Sequence, residues 1–241
     1  MLRGDDISLP QSVVRKIFRF GEVSNNDVFY HLGCGIGNTV QIAAKEFGVK
    51  RSIGVEKRQE IASLAKKRIG NLKNAQIIVD DIRNVSLSDA TVVLFWFTDD
   101  QIVDQMTTRF QKETKDNIRI VTILSPLGLI KPIKISFPFF MTVKPFKFYN
   151  DLREQIQTIQ GTECLDFTGS WNIASRYVME MDVVPGEYRR FVTMVQCMVI
   201  WINAWNVGIA CETEIPPPVN AYIGILKEFY NLDLSSMIHT H

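Results

Sequence analysis

The stretch Val28-Phe-Tyr-His-Leu-Gly-Cys-Gly-Ile-Gly-Asn38 predicts a short strand that runs directly into a glycine-rich turn. Gly33, Gly35 and Gly37 leave the backbone of this turn bare, and glycine readily adopts the positive φ angles that such a turn needs. Apolar residues then recur at helical spacing from Asn38 to Phe47. The amides at the start of that helix would face any ligand that lies over the glycines.

An acidic residue follows the second predicted strand. Ser52-Ile-Gly-Val55 is short and mostly apolar, and it ends at Glu56, nineteen residues after Gly37. An acid at about this distance from the glycines is where a nucleotide ribose presents its hydroxyls, and a carboxylate accepts hydrogen bonds from such a diol. The alternative is a turn that binds no nucleotide, with Glu56 as an ordinary surface residue.

Three segments together resemble the class I S-adenosylmethionine-dependent methyltransferases. Dinucleotide-binding turns have the pattern G-x-G-x-x-G, whereas this chain has G-x-G-x-G. Asp80-Asp81-Ile82 follows a third strand, Ala75 to Val79, where the family places an acid near the adenine amine. A fourth strand, Thr91 to Phe97, ends where the family has its acceptor site. The resemblance implies S-adenosylmethionine as the cofactor, bound by His31, Gly33, Cys34, Gly35, Gly37, Asn38, Glu56, Lys57, Asp81 and Ile82.

The sequence Gly54-Val-Glu-Lys57 narrows the resemblance to the disruptor-of-telomeric-silencing type of lysine methyltransferase and its small archaeal relatives. The runs Leu9–Lys16, Asn26–Tyr30 and Asp89–Val93 are similar to the same group, so that the resemblance covers roughly residues 9–145. It implies methylation of lysine side chains in proteins. The sequence lacks the Asn/Asp-Pro-Pro-aromatic motif of enzymes that methylate exocyclic base amines, which disfavours methylation of adenine or cytosine.

Other functions stay open at this point. The chain could methylate RNA or a small molecule. It could also be a non-catalytic module that binds S-adenosylmethionine and recruits a partner.

His31 departs from the family pattern, because the residue two before the first glycine is usually acidic in this superfamily. That acid helps to hold the turn and the methionine amino end of the cofactor. A histidine cannot act as a carboxylate in either protonation state. Either the cofactor site is retuned, or His31 hydrogen-bonds the backbone of the loop.

The residues after the fourth strand are the candidates for the acceptor site. Methyl transfer needs a positioned nucleophile, and a lysine must lose its proton before it attacks. Trp96 and Phe97 could form the walls of a lysine channel, and Asp99 or Asp100 could orient the amine. Alternatively, the aromatic rings pack in the core and Asp99 complements the dipole of the next helix, whose expected N-cap is Thr98. Ser125, after the fifth strand, marks the far side of the predicted acceptor site.

The alternation of strands and helices predicts an α/β fold, namely a Rossmann-like, doubly wound, mostly parallel seven-stranded sheet with a C-terminal helical extension. The fourth strand is continuously apolar, as is typical of a central parallel strand that is covered on both faces. The last two strands, at 133–137 and 139–143, are expected to be antiparallel at the edge of the sheet.

The net charge of +1 conceals an asymmetry between the two parts of the chain. Residues 1–147 carry 22 Lys and Arg against 15 Asp and Glu, whereas residues 148–241 carry 5 against 11. We therefore expect a methyltransferase domain over 1–147 and a helical extension of unknown role over 148–241. The basic half favours a nucleic acid as a partner, or it is simply a solvated surface. The resemblance to lysine methyltransferases separately implies a protein partner, such as a basic or chromatin protein.

The segment 191–211 is strongly apolar and long enough to resemble a membrane span. Gln196 and Asn203 argue against that interpretation, because unpaired amides are costly in lipid. We predict a buried helix whose residues 191–210 dock the extension on the first domain or form a homodimer seam. Trp201 and Trp205, four residues apart, would lie on one face of it.

The chain has four cysteines without C-x-x-C spacing and only three histidines, which argues against a structural zinc site. Its first residues lack an apolar signal-peptide core. Reduced thiols and a cytoplasmic location are therefore expected. Cys34, inside the glycine turn, is expected to fill space and not to act as a nucleophile.

Overall fold

The computed structural model describes residues 9–97, 99–182 and 184–239. The chain divides into two compact units, one that ends at Phe148 and one that begins at Tyr149. Each unit is described by itself.

Seven strands form one sheet in the first unit: β1 (Val28–Leu32), β2 (Arg51–Glu56), β3 (Ala75–Val79), β4 (Val92–Phe95), β5 (Arg119–Ile123), β6 (Lys134–Ser136) and β7 (Phe139–Val143). Their order is β3-β2-β1-β4-β5-β7-β6. Strands β1 to β5 are parallel, β7 is antiparallel to β5, and β6 is antiparallel to β7. The predicted mostly parallel, doubly wound sheet is confirmed. The strand order reverses between β1 and β4, and such a switch point opens a crevice at the carboxyl ends of the strands.

The helices of the first unit are α1 (Gln11–Phe20), α2 (Asn38–Lys45), α3 (Gln59–Ile69) and α4 (Asp100–Glu113), counted over the described residues. Each carries its apolar residues on one side, so it forms as it packs on the sheet. In α4 that side consists of Met106 and Phe110, both fully buried. The Phe110 ring meets the Phe95 ring of β4 edge-on, with centroids 5.6 Å apart.

Two boundaries near the predicted acceptor site differ from those expected. Strand β4 ends at Phe95, so Trp96 and Phe97 lie in a loop. The N-cap of α4 is Asp99, whose Oδ1 accepts the Ile102 amide at 3.1 Å. The predicted cap, Thr98, lies outside the described residues. A carboxylate at this position also complements the helix dipole, which favours Asp99 over a neutral cap.

A close approach between β2 and the glycine turn depends on Gly54. A Cβ atom on Gly54 would lie 2.6 Å from Cys34 Sγ and 2.7 Å from Val40 Cγ2. Both distances are far below van der Waals contact, so the turn and α2 sit against the sheet only because β2 has no side chain here. Cys34 is buried and fills that space, as predicted.

The second unit consists of the helices α5 (Leu152–Gln160), α6 (Phe167–Met181), α7 (Arg189–Asn206) and α8 (Pro217–Tyr230), again over the described residues. This confirms the helical extension. The apolar stretch is the single helix α7, and the three prolines that follow it open α8, since proline is tolerated in a first helical turn.

Trp201 is the central side chain of this second core. It is fully buried, its ring stacks on Trp205 with centroids 5.3 Å apart, and its Nε1 donates to Glu212 Oε2 at 3.1 Å. It packs with Met198, Val219 and other residues of the same unit. The expectation that Trp201 belongs to a dimer seam is therefore wrong, because its side chain is already enclosed in a single chain.

The expectation of four reduced thiols is also wrong. Cys164 and Cys211 form a disulfide with their Cα atoms 5.0 Å apart. Spacing in the sequence gave no hint of it, because the pair is brought together by the β-bridge between the adjacent residues Leu165 and Ala210. The argument from reduced thiols for a cytoplasmic location therefore fails. Within the described ranges, none of the helices has the length and apolar character needed to cross a membrane.

Candidate functional site

The glycine turn lies at the switch point of the sheet, directly after β1. The amides of Gly33 and Cys34 both donate to Val55 O of β2 at 2.9 Å, which continues the pairing of the two strands into the turn. Gly33, Gly35 and Gly37 have φ angles of +76°, +52° and +77°. Residues other than glycine rarely adopt these backbone angles, so all three glycines are needed for the shape of the turn.

The turn leaves open space and unsatisfied polar groups above it. Apart from Gly35 itself and its two chain neighbours, no heavy atom of the described chain lies within 4 Å of a Cβ built on Gly35. No described side chain caps α2, so its first amides keep free N–H groups. Asn38 at the start of α2 is buried; its Nδ2 donates to Leu9 O at 3.1 Å, while its Oδ1 has no hydrogen-bond partner among the described residues. A ligand with N–H or O–H donors would satisfy that oxygen.

Glu56 connects the end of β2 to the glycine turn. Its side chain is buried, and Oε2 accepts the Gly35 amide at 3.1 Å. Oε1 accepts the Arg58 amide at 3.0 Å and the Arg58 Nε at 3.4 Å. The acid is thus placed where the sequence predicted, beside the glycines, and it has local partners that the sequence did not reveal.

Asp81 lies one strand further along and carries two basic partners. Arg83 donates to both of its carboxylate oxygens, with Nε and Nη2 at 2.8 and 2.7 Å, and Lys57 Nζ is 3.2 Å away. The hydrogen bonds from Arg83 hold the pKa of Asp81 well below its usual range. The backbone after Asp81 is fixed as well, because the Arg109 guanidinium of α4 donates to the carbonyls of Ile82 and Val85 at 2.8 and 2.7 Å.

His31 is buried in β1 and bonds to a side chain. Its Nδ1 lies 2.5 Å from Thr39 Oγ1, in the first turn of α2. Burial lowers the pKa of His31 to about 4, so the ring is neutral at physiological pH. The sequence left open a bond to the loop backbone; the partner is instead the Thr39 hydroxyl. The ring therefore ties β1 to α2 across the glycine turn.

The buried environment of Cys34 disfavours the reactive form of its thiol. Burial raises the pKa of its thiol to about 12, and the nearby charge of Glu56 adds to the effect. Since the thiolate is the reactive form, a raised pKa disfavours reaction of this thiol at physiological pH.

The predicted acceptor residues divide into two groups, the half-buried aromatic residues Trp96 and Phe97 and the exposed polar residues Asp99 and Ser125. Phe97 lies on the glycine turn: a Cβ on Gly33 would lie 2.8 Å from its Cζ, and its ring stacks on Phe95 at 5.0 Å. Trp96 is half-buried beside it. Asp99 is exposed and caps α4, and its charge also raises the pKa of Arg83, after the larger effect of Asp81. Ser125 is exposed after β5, and its carbonyl accepts the Thr122 hydroxyl at 2.6 Å.

Several residues that shape this site were missed in the sequence. Thr39, Arg58, Arg83 and Arg109 all contact predicted site residues through side chains. Arg58 and Arg83 each stand two residues after the acid that they bind, a short-range pairing that could have been noticed. Arg109 contacts the site from a different helix, and no local pattern marks it.

The sequence profile of the family described as "Histone methylation protein DOT1" matches residues 8–77. A protein-lysine N-methyltransferase from Saccharolobus islandicus (strain REY15A) is 34% identical over 122 residues, which are 48% of this chain and 73% of that protein. Among solved structures, the RNA methyltransferase from Salinibacter ruber in complex with S-adenosyl-L-homocysteine has a TM-score of 0.55 at 22% identity, covering 61% of this chain and 99% of that one. At this identity the likeness concerns the fold alone.

One third of the aligned residues are identical to those of the archaeal enzyme. The same chain has the glycine turn, the acid at the end of β2 and the strand order described above. The chain belongs to the family of that protein-lysine N-methyltransferase, within the DOT1-related class I methyltransferases.

Proposed function

We propose that this protein transfers a methyl group from S-adenosylmethionine to lysine side chains of protein substrates. The relationship to the archaeal protein-lysine N-methyltransferase supports the substrate class. The observation that carries the proposal in the structure is the position of Phe97. Its ring touches the glycine turn, so the candidate acceptor wall and the candidate cofactor cradle adjoin each other.

The groups around the glycine turn fit the proposed cofactor. Gly35 leaves space for a ligand against the backbone, and Asn38 Oδ1 offers a buried acceptor without a partner among the described residues. We assign the ribose hydroxyls to Glu56 and the adenine side to Asp81 and Ile82. Lys57 lies at the rim, bonded to Asp81. His31 acts indirectly, by holding α2 through Thr39.

When bound, the cofactor supplies an electrophilic methyl group on a positively charged sulfur. The chain must then deliver a neutral amine in line with that group and exclude water. Trp96 and Phe97 supply apolar surface at the approach, and burial of a lysine ammonium between such rings lowers its pKa, which favours the uncharged nucleophile. One carboxylate oxygen of Asp99 is engaged in the α4 cap, and we assign the other to orient the incoming amine.

We further propose that the substrate segments are basic. Three exposed acids, Asp99, Asp100 and Asp104, stand in and just before the first turns of α4, directly after the acceptor aromatics. Negative charge at the entrance favours a lysine-rich segment over an acidic or neutral one, by attraction that weakens as salt screens it.

The test uses the full chain with methyl-labelled S-adenosylmethionine and two separate acceptors, a lysine-rich basic protein and total RNA. We expect the label in the protein acceptor. Mass spectrometry should then locate mass increments of one CH₂ on lysine residues. Phe97→Ala should lower the rate of transfer more than it lowers cofactor affinity, since Phe97 is assigned to the acceptor side.

The matched control is Phe137→Ala, another half-buried aromatic residue of the same unit, near the β6–β7 edge. Label in RNA with none in protein would refute the proposal. Tight cofactor binding without any transfer would instead identify a non-catalytic binding module.

A further inference from the structure

A second surface of the first unit, remote from the glycine turn, has a strong positive charge. Six exposed cations form it: Lys45, Lys50, Lys66, Lys67, Arg68 and Lys73. We call these residues the basic face. None of them makes an ion pair with any residue that the structure describes, in contrast to Arg51 beside them, which pairs with Asp89 at 2.5 Å. From residue 61 to residue 79 the sequence contains no acid at all.

Hydrogen bonds bring these separate segments together. Asn74 Nδ2 donates to Ala44 O at 3.2 Å and to Val49 O at 2.9 Å. The loop that carries Lys73 is thereby joined to the residues that adjoin Lys45 and Lys50. Gln41 Nε2 of α2 donates to Arg68 O of α3 at 2.7 Å. The carboxyl end of α3 therefore lies beside the middle of α2, and the carboxyl end of α2 adjoins the loop of Lys73.

This location is the amino edge of the sheet, where β2 and β3 begin. The glycine turn lies at the opposite, carboxyl edge, and a five-residue strand separates the two edges by about 16 Å. The basic face is thus distinct from the methyl-transfer site. Helix dipoles account for cations in the last turns of α2 and α3, but Lys50 and Lys73 stand in loops, where no dipole explains them.

The chemistry of the basic face indicates a polyanion that is bound through its charges and not by stacking of bases on aromatic rings. Proteins that grip single strands combine basic grooves with exposed aromatic rings. The one aromatic residue in the sequence from 41 to 76 is Phe47, and its ring packs on Phe18 with centroids 5.0 Å apart. Lysine-rich surfaces without aromatic platforms suit the phosphate backbone of a duplex, which supplies one charge per about 1.7 Å of axis.

We propose that the basic face binds the phosphate backbone of double-stranded DNA, independently of sequence. A protein held in this way keeps its carboxyl edge free, so that DNA and a protein substrate can be engaged together. The proposal does not depend on methyl transfer and is tested on the full chain without cofactor.

The test is fluorescence anisotropy with a labelled DNA duplex at several salt concentrations. If all six cations contact phosphates, the slope of log K against log salt should be about −5. The triple variant Lys66→Ala, Lys67→Ala, Lys73→Ala should weaken binding to all sequences alike and reduce the magnitude of the slope by about 3. The control variant Lys112→Ala, Lys115→Ala removes exposed lysines that alternate with Glu113 and Asp116, and should leave binding unchanged.

Thermal melting of each variant establishes that the fold is retained. Duplex RNA, single-stranded RNA and vesicles with anionic lipid are titrated in parallel. Equal DNA affinity of the triple variant and the parent chain would overturn the proposal. So would a preference for RNA or for vesicles over the DNA duplex.

Discussion

Removal of the Glu56 carboxylate is the sharpest perturbation of the cofactor site. Each carboxylate oxygen offers about two lone pairs. Oε1 already accepts from Arg58 N and Nε, and among the described residues Oε2 accepts from the Gly35 amide alone. One acceptor position therefore remains on Oε2, and a second becomes available if the ligand displaces the long 3.4 Å bond from Arg58 Nε.

A hydrogen bond to a charged group contributes about 1.5–3 kcal/mol. Glu56→Ala should therefore weaken binding of S-adenosylhomocysteine by about 10- to 150-fold, since each 1.4 kcal/mol corresponds to tenfold. Glu56→Gln keeps the size and one acceptor oxygen, so its loss should be smaller. Loss of the bond to Gly35 also lowers the free energy of unfolding by about 1 kcal/mol, which a thermal melt measures separately.

Isothermal titration calorimetry gives the affinities, and Glu60→Ala is the control because Glu60 is an exposed acid in the first turn of α3. Unchanged affinity in Glu56→Ala would refute the assignment of the ribose to this residue. Tight binding of NAD by the parent chain would refute the cofactor itself.

Further outcomes follow from the two cores. Burial holds the pKa of His31 near 4, against 6.5 in the unfolded chain. Between these two values the unfolded chain binds one more proton than the folded chain, so the free energy of unfolding should fall by about 3 kcal/mol as the pH drops from 6.5 to 4. His31→Gln should abolish this pH-dependent loss in urea titrations across the same range. Trp201→Ala should cost about 3–5 kcal/mol in chemical denaturation followed by circular dichroism, well above the cost of Trp205→Ala, because Trp201 is fully buried and bonds to Glu212. Joint substitution of Cys164 and Cys211 by serine releases a cross-link with a sequence separation of 47 and should cost up to about 4 kcal/mol, seen as a lower Tm; an equal Tm would mean that the thiols are reduced in solution.

Local patterns were sufficient to predict the strands and the glycine turn. Strands β1 and β3 have the predicted bounds, because short apolar runs between polar turns leave little freedom in register. The antiparallel edge of β6 and β7 followed from a connection too short for a crossover helix.

The parts that sequence reasoning missed depend on distant contacts. The end of β4 was predicted two residues too late. The apolar run in the sequence continues through Trp96 and Phe97, whereas the strand ends at Phe95. Apolar character alone cannot distinguish a strand residue from a loop residue packed on glycine. The disulfide between Cys164 and Cys211 required knowledge of how the ends of α6 and α7 meet. The partner of His31 lies on the next helix, in a contact that periodicity does not encode.

The close approach of Gly54 to Cys34 means that the size of the residue at one position limits the size allowed at the other. They share one volume, in which a methyl group on β2 would come within 2.6 Å of the sulfur. A larger residue at 54 is admissible only where the residue at 34 becomes smaller and the side chain at 40 also gives way, because Val40 Cγ2 would lie 2.7 Å from the added Cβ. A larger residue at 34 has no room while β2 keeps its position. Across relatives of this protein we therefore expect the two positions to vary together, although 20 residues separate them and neither need touch a substrate.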